Sequence, residues 1–152
     1  MPEPSPLVDP LNAELILLPF LGMMLLTLVV WAYMYTLRLG YIAAHRIPSQ
    51  ELTTPDKAAR LIPDEVSYPA HNLRNLLELP VLFYALCLYL YLTAAVDQVL
   101  LVSAWTFLLL RTVHSAIHCT VNNVKWRFLA YFASGLVLWF MLVRSVLDFA
   151  GG

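Results

Sequence analysis

The sequence predicts an all-α integral membrane protein, a four-helix bundle forming one domain over residues 1–152, and three observations carry that expectation. Hydrophobic residues fill 61% of the 152 positions and charged residues only 12%, against about 45–50% and about 25% in soluble domains. The mean hydropathy of +0.72 is spread along the chain instead of sitting in one anchor. The apolar runs are separated by short polar segments at lengths suited to crossing a bilayer.

The elements follow in order. Between Glu14 and Arg38 stand 23 residues without a charge, enough to cross a hydrocarbon core of about 30 Å at about 1.5 Å per residue. They predict a first helix over about 13–38, with Pro19 in its first turns, where a missing N–H costs least. A second helix is expected over about 70–96, kinked at Pro80. Asp97 and Gln98 then make a short polar turn, and a third helix over about 99–120 runs back antiparallel to the second. Asn122 and Asn123 bring turn chemistry, and a fourth helix is expected over about 127–147. The first loop, about Leu39 to Tyr68, holds Pro48, Pro55 and Pro63. It reads as irregular apart from one helical turn near Asp56 to Leu61.

Composition also excludes functions. A net charge of -1, with no basic stripe, argues against nucleic acid. Cys87 and Cys119 lie in apolar stretches without C-x-x-C spacing and read as small apolar fillers. His114 and His118 have the i, i+4 spacing of metal ligands, yet the chain has only four His and no second cluster, so no metal is expected. The residues before Glu14 include no Lys or Arg, unlike a cleavable signal, so the first apolar run is expected to remain. The cations Arg38, Arg46, Lys57 and Arg60 flank the first loop, and Lys125 and Arg127 follow the third helix. By the positive-inside rule, loops 1 and 3 are cytoplasmic and both termini lie on the opposite side.

Charged side chains inside a bilayer cost at least ~2.5 kcal/mol each on insertion scales, so those that persist mark places to look for function. His71, Arg74, Asn75 and Glu78 fall at i, i+3, i+4 and i+7, one face of the second helix. Arg111, His114 and His118 fall on one face of the third, and Arg127 opens the fourth. Antiparallel packing brings these sets together. Guanidiniums, one carboxylate, one amide and imidazoles suit a multiply charged zwitterion, and a small peptide such as glutathione fits the inventory. The competing reading is structural: Arg74 and Glu78 neutralise each other at i, i+4, Arg111 pairs across the bundle or an oligomer seam, and the histidines are hydrogen-bonded interior residues.

The segment Arg74-Asn75-Leu76-Leu77-Glu78-Leu79-Pro80 resembles the N-x-x-E motif of the family of membrane-associated proteins in eicosanoid and glutathione metabolism. The spacing from Arg111 through His114 and His118 to Arg127 and Tyr131 is similar to that family's prostaglandin E synthase branch. The similarity spans about Ala70 to Leu142. It implies a homotrimer with glutathione at subunit boundaries near the cytoplasmic side, and Arg127 as the catalytic arginine that stabilises the thiolate. It further implies glutathione contacts at His71, Arg74, Asn75, Glu78, His114, His118 and Tyr131, with a cation contributed by the neighbouring subunit, for which Arg38 is the first candidate and Arg46 the second. Three positions depart from the pattern. His71 stands where the synthases usually carry Arg, His118 replaces a glutathione-contacting Tyr, and Phe128 replaces a Ser of the prostaglandin branch. The expected activity is therefore a glutathione-dependent transferase or peroxidase acting on lipophilic electrophiles from the bilayer. A non-catalytic lipid-binding scaffold of the same fold is the alternative.

Overall fold

The computed structural model describes residues 10–151, and within them every regular element is helical. The helices are α1 (Pro10–Leu15), α2 (Leu17–Ala44), α3 (Pro55–Leu61), α4 (Asp64–Leu76), α5 (Leu79–Leu92), α6 (Gln98–Cys119) and α7 (Val124–Gly151), with a 3₁₀ turn at Ser49–Leu52. Four spans are long and apolar enough to cross a membrane: Ala13–Ala44, Asp64–Leu92, Gln98–Cys119 and Val124–Gly151. The expected location of the two chain ends involves residues 1–9 and 152, which lie outside the described residues.

Two spans are interrupted, each just ahead of a proline. α1 gives way to α2 at Ile16, three residues before Pro19, and α4 gives way to α5 at Leu77 and Glu78, before Pro80. A proline has no N–H to return to the carbonyl four residues back, and its ring crowds that carbonyl, so the ladder opens at this point. Pro80 then sits in the first turn of α5, where its lack of N–H is harmless. The expected kink at Pro80 is thus a full break between two helices.

The bounds differ from the sequence expectation in three places. α4 starts at Asp64 instead of about Ala70, because Pro69 lies in its first turns and Asp64 and Glu65 place negative charge against the positive end of the helix dipole. α2 continues past Arg38 to Ala44, since neither a single cation nor Gly40 is enough to stop a helix held by packing. α7 starts at Val124 because Asn123 caps it, its Oδ1 accepting from the Trp126 N–H at 3.2 Å. The expected turn near Asp56 to Leu61 is α3, capped by Thr54.

The core runs down the bundle axis. Phe83 of α5 stacks on Phe107 of α6 at 4.4 Å between ring centroids, and both are fully buried. Met23, Leu76, Leu90, Leu100, Leu138 and Met141 complete it. Cys87 is buried in this core, as a small apolar filler would be. Gly22 lets α2 approach α6, since a Cβ there would come within 2.6 Å of Leu108 Cδ2. Outward faces carry Leu21, Leu25, Leu28, Trp139, Phe140 and Val143, all exposed, as lipid-facing residues should be.

Candidate functional site

Polar side chains collect where α4, the second half of α6 and the first turns of α7 meet. On α4, Asn72 and Leu76 point inward and are fully buried, whereas His71 and Arg74 are exposed and Asn75 is half-buried. The face shared by His71, Arg74, Asn75 and Glu78 is therefore the flank of its span, and the interior position belongs to Asn72. Its Nδ2 donates to Cys119 Sγ at 3.4 Å, and its Oδ1 accepts from the Ser115 hydroxyl at 3.4 Å. A buried amide satisfied on both ends pins α4 to α6. A search for charges passes over Asn72; its signal is the register it shares with Leu76 and Pro69.

His114 is 2% exposed and connects two elements. Its Nδ1 lies 2.9 Å from the Arg127 carbonyl, which can only accept, so the proton sits on Nδ1. Its Nε2 is then free to accept from Asn75 Nδ2, at 3.5 Å. One tautomer satisfies both contacts, fixing the Asn75 amide and the start of α7 together.

Arg111 is fully buried. Its Nη2 donates to the Asn75 carbonyl at 2.6 Å. Because α4 ends here, with the Leu77 N–H turning back to the Arg74 carbonyl at 2.9 Å, the guanidinium acts as a cap supplied from another helix. The guanidinium carbon lies 5.1 Å from the Tyr131 ring centroid. Its Nε and Nη1 have no hydrogen-bond partner among the described residues. Tyr131 in turn donates its hydroxyl to Glu78 Oε2 at 3.2 Å, tying the break in span 2 to α7.

Arg127 is half-buried at the start of α7, and its Nη1 donates to Asn122 Oδ1. Asn122 holds a left-handed backbone, with φ of 46°, that asparagine tolerates better than most residues. It aims the arginine, a role its turn chemistry alone did not reveal. His118 is 4% exposed, stands edge-on to His114 with ring centroids 5.4 Å apart, and its Nδ1 has no hydrogen-bond partner among the described residues.

The structural alternative weighed on spacing holds for His114, a hydrogen-bonded interior residue, but not for Arg74 and Glu78. The break at Leu77 and Glu78 takes Arg74 and Glu78 out of helical register, and Glu78 accepts from Tyr131 instead. Among the described residues, the ion pairs within 4 Å are those of Arg144 with Asp97 and Asp148.

Arg38, His71 and Arg74 gather elsewhere, around a cavity of about 300 Å³ formed by α2, α3 and α4 of the same chain. Arg46 is exposed and closes α2 with a left-handed backbone, φ 53°. The expected site thus divides into a bundle cluster, Asn75, Glu78, Arg111, His114, Arg127 and Tyr131, and this cavity, whose Arg74 directly precedes Asn75 of the cluster. A third feature is an apolar groove of about 420 Å³ between α5 and α7, lined by residues such as Leu82, Tyr89, Leu138 and Trp139. It opens one turn beyond Glu78.

A carboxylate, an amide and guanidiniums without acidic partners, set at the end of an apolar groove, can hold a small zwitterion beside a lipophilic molecule. No curated protein and no solved structure matches the chain. The family model described as MAPEG family matches residues 16–147, nearly the whole length. With that match added to the four-span helical architecture, the chain belongs to the MAPEG family.

Proposed function

We propose that the protein is a glutathione-dependent transferase or peroxidase acting on lipophilic electrophiles that reach it from the bilayer. Family membership supports a glutathione-related or eicosanoid-metabolism function in general. The observation that carries the finer reading is the bundle cluster itself: buried Arg111 keeps two donors unpartnered among the described residues, and Arg127 faces an amide instead of an acid. Such charges inside a membrane protein are costly unless a bound group compensates them.

The residues present fit glutathione. Glu78 suits its ammonium, Asn75 its peptide amide, and Arg74 a carboxylate, while Tyr131 orders Glu78 through its hydroxyl. Bound glutathione supplies a sulfur nucleophile. Arg127 stabilises the thiolate over the thiol, whose free pKa is about 8.5, and the displaced proton leaves to water. His114 and His118, both nearly inaccessible, act in this reading as supports for Asn75 and Arg127 more than as direct contacts. The apolar groove between α5 and α7 would hold the electrophile.

Glu78 supports an oligomer. It lies halfway along the Asp64–Leu92 span, about 21 Å from its start at about 1.5 Å per residue, and is exposed on a single chain. A carboxylate at that depth calls for cover, which a homotrimer with glutathione at its subunit boundaries would provide. The cation-rich loops 1 and 3 would face the cytoplasm, with the termini opposite. A non-catalytic lipid-binding scaffold is the second reading, favoured by the almost wholly apolar lining of the groove.

The test is a titration of detergent-solubilised protein with glutathione, following heat and ultraviolet thiolate absorbance. Native protein should bind and generate thiolate, whereas Arg127→Ala should bind without generating it. Native protein that fails to bind glutathione overturns the proposal. Binding without turnover of any of a panel of electrophiles and hydroperoxides selects the scaffold.

A further inference from the structure

Span 2 is jointed where the polar cluster meets the apolar groove. In an unbroken helix the Asn75 carbonyl would take the Leu79 N–H, and the Leu76 carbonyl would take the N–H of residue 80. Here Arg111 Nη2 occupies the Asn75 carbonyl at 2.6 Å, and residue 80 is a proline with no N–H to give. The ladder stops with the Leu77 N–H on the Arg74 carbonyl and resumes with the Val81 N–H on the Glu78 carbonyl, at 2.9 and 3.1 Å. Between them Glu78 has φ −100° and ψ −102°, outside the helical range. Two missing rungs leave Leu77 and Glu78 able to absorb a change of angle, as hinge residues do.

The two flanks of α5 are unequal. On one, Phe83 stacks on Phe107 just past the break, a packed contact that serves as a pivot. On the other, the groove of about 420 Å³ separates α5 from α7, with Leu82 and Tyr89 on one wall and Leu138 and Trp139 on the other. A void resists a tilt far less than a packed core does. α5 has 14 residues, about 21 Å at about 1.5 Å per residue, so a turn of about 5° at the break moves its far end by about 2 Å.

We propose that Leu77 and Glu78 form a hinge through which an ammonium-bearing ligand at Glu78 sets the tilt of α5, and so shapes the apolar groove for the lipophilic partner. The inference rests on the glutathione reading for the identity of that ligand. Glu78 lies in the joint itself, is exposed, and accepts from the Tyr131 hydroxyl of α7 at 3.2 Å. A carboxylate has two oxygens, so an ammonium on the other one leaves the Tyr131 contact in place and adds a charge-assisted bond. With Glu78 held by ligand and α7 together, α5 keeps one tilt and the groove is formed before the lipophile arrives. The coupling is positive, and each ligand strengthens the other by the same factor.

Full-length protein in detergent is tested in two ways. A scintillation proximity assay measures affinity for tritiated dodecanol, an unreactive lipophile, with and without saturating glutathione. Glutathione should raise that affinity about fivefold or more, the lower end of typical coupling between sites. Pro80→Ala returns a donor to the Leu76 carbonyl and stiffens the joint, so each ligand should still bind alone while the coupling factor falls close to one. Nitroxides at Leu92→Cys and Leu147→Cys, both exposed positions, in a Cys119→Ser background, report the separation of α5 and α7 beyond the groove. Glutathione should shift that distance by about 2 Å, the displacement expected of the lever, and Glu78→Gln should abolish the shift. Glutathione binding that changes neither dodecanol affinity nor the distance overturns the hinge and leaves the transferase reading intact. Coupling in Pro80→Ala as large as in the native chain overturns it too. Failure of glutathione to bind overturns both readings.

Discussion

The two ends of the bundle treat arginine in opposite ways. Toward the end of α7, Arg144 donates to Asp97 Oδ2 and lies 3.7 Å from Asp148, while Asp97 Oδ1 caps α6 by accepting from the Leu100 N–H at 2.8 Å. Arg144 there has two carboxylates within 4 Å, and the result is a clamp that fixes the α5–α6 turn onto α7. At the start of α7 and the middle of α6, Arg127 and Arg111 meet an amide, a carbonyl and a ring face, with no acid within 4 Å among the described residues. A neutralised pair explains itself as structure. Guanidiniums left without acids in a low-dielectric setting imply that something negative completes them.

The contrast can be broken most severely at Arg127. Replacing it with Ala should lower kcat/KM toward a lipophilic electrophile about a hundredfold or more, as loss of a charge-stabilising donor does elsewhere, with glutathione Kd changed far less; steady-state kinetics beside calorimetry check it. Next, Glu78→Ala should weaken glutathione about tenfold, close to 1.4 kcal/mol, with little change in thermal stability. At the other end the pattern should invert. Asp97→Ala removes a helix cap and leaves Arg144 with Asp148 alone, and about 1 kcal/mol of stability should be lost, read as a lower Tm in detergent with glutathione Kd unchanged.

Arg111→Met sharpens the comparison further. An apolar side chain of similar reach removes a buried charge whose Nε and Nη1 lack partners among the described residues, which offsets the cost of uncapping the Asn75 carbonyl. Tm should hold or rise while glutathione binding falls several-fold, because the Asn75 carbonyl loses its cap; a lowered Tm with unchanged binding would make Arg111 a structural residue like Arg144. The smallest effect is expected at Gly22→Ala, remote from both ends. The crowded atom is the tip of the Leu108 side chain, which can shift, and the gain in helix propensity offsets the strain, so the net change should stay within about 0.5 kcal/mol.

Much of this molecule could be read from its residues, for physical reasons that vary by region. The spans follow from uninterrupted apolar runs, because a bilayer leaves few alternatives to a helix for such a stretch. Pro80 announced the interruption of span 2, and the i, i+4 and i+7 register of His71, Asn75 and Glu78 announced a polar face. That face proved to be a flank, because the rotation of a helix about its axis is set by its neighbours, and Asn72 with Leu76 packs inward instead.

By itself the sequence determined the number of spans, the α3 turn, the positions of the breaking prolines and the cluster of residue types suited to a charged peptide. These depend on local covalent facts: side-chain hydrophobicity, a missing N–H and a fixed 3.6-residue period. Only the tertiary structure decided which arginines are neutralised, that Arg111 caps Asn75 across 36 residues of sequence, and that Arg38 shares a cavity with His71 and Arg74 of its own chain. Those outcomes depend on contacts between segments far apart in the chain, whose geometry no single segment encodes.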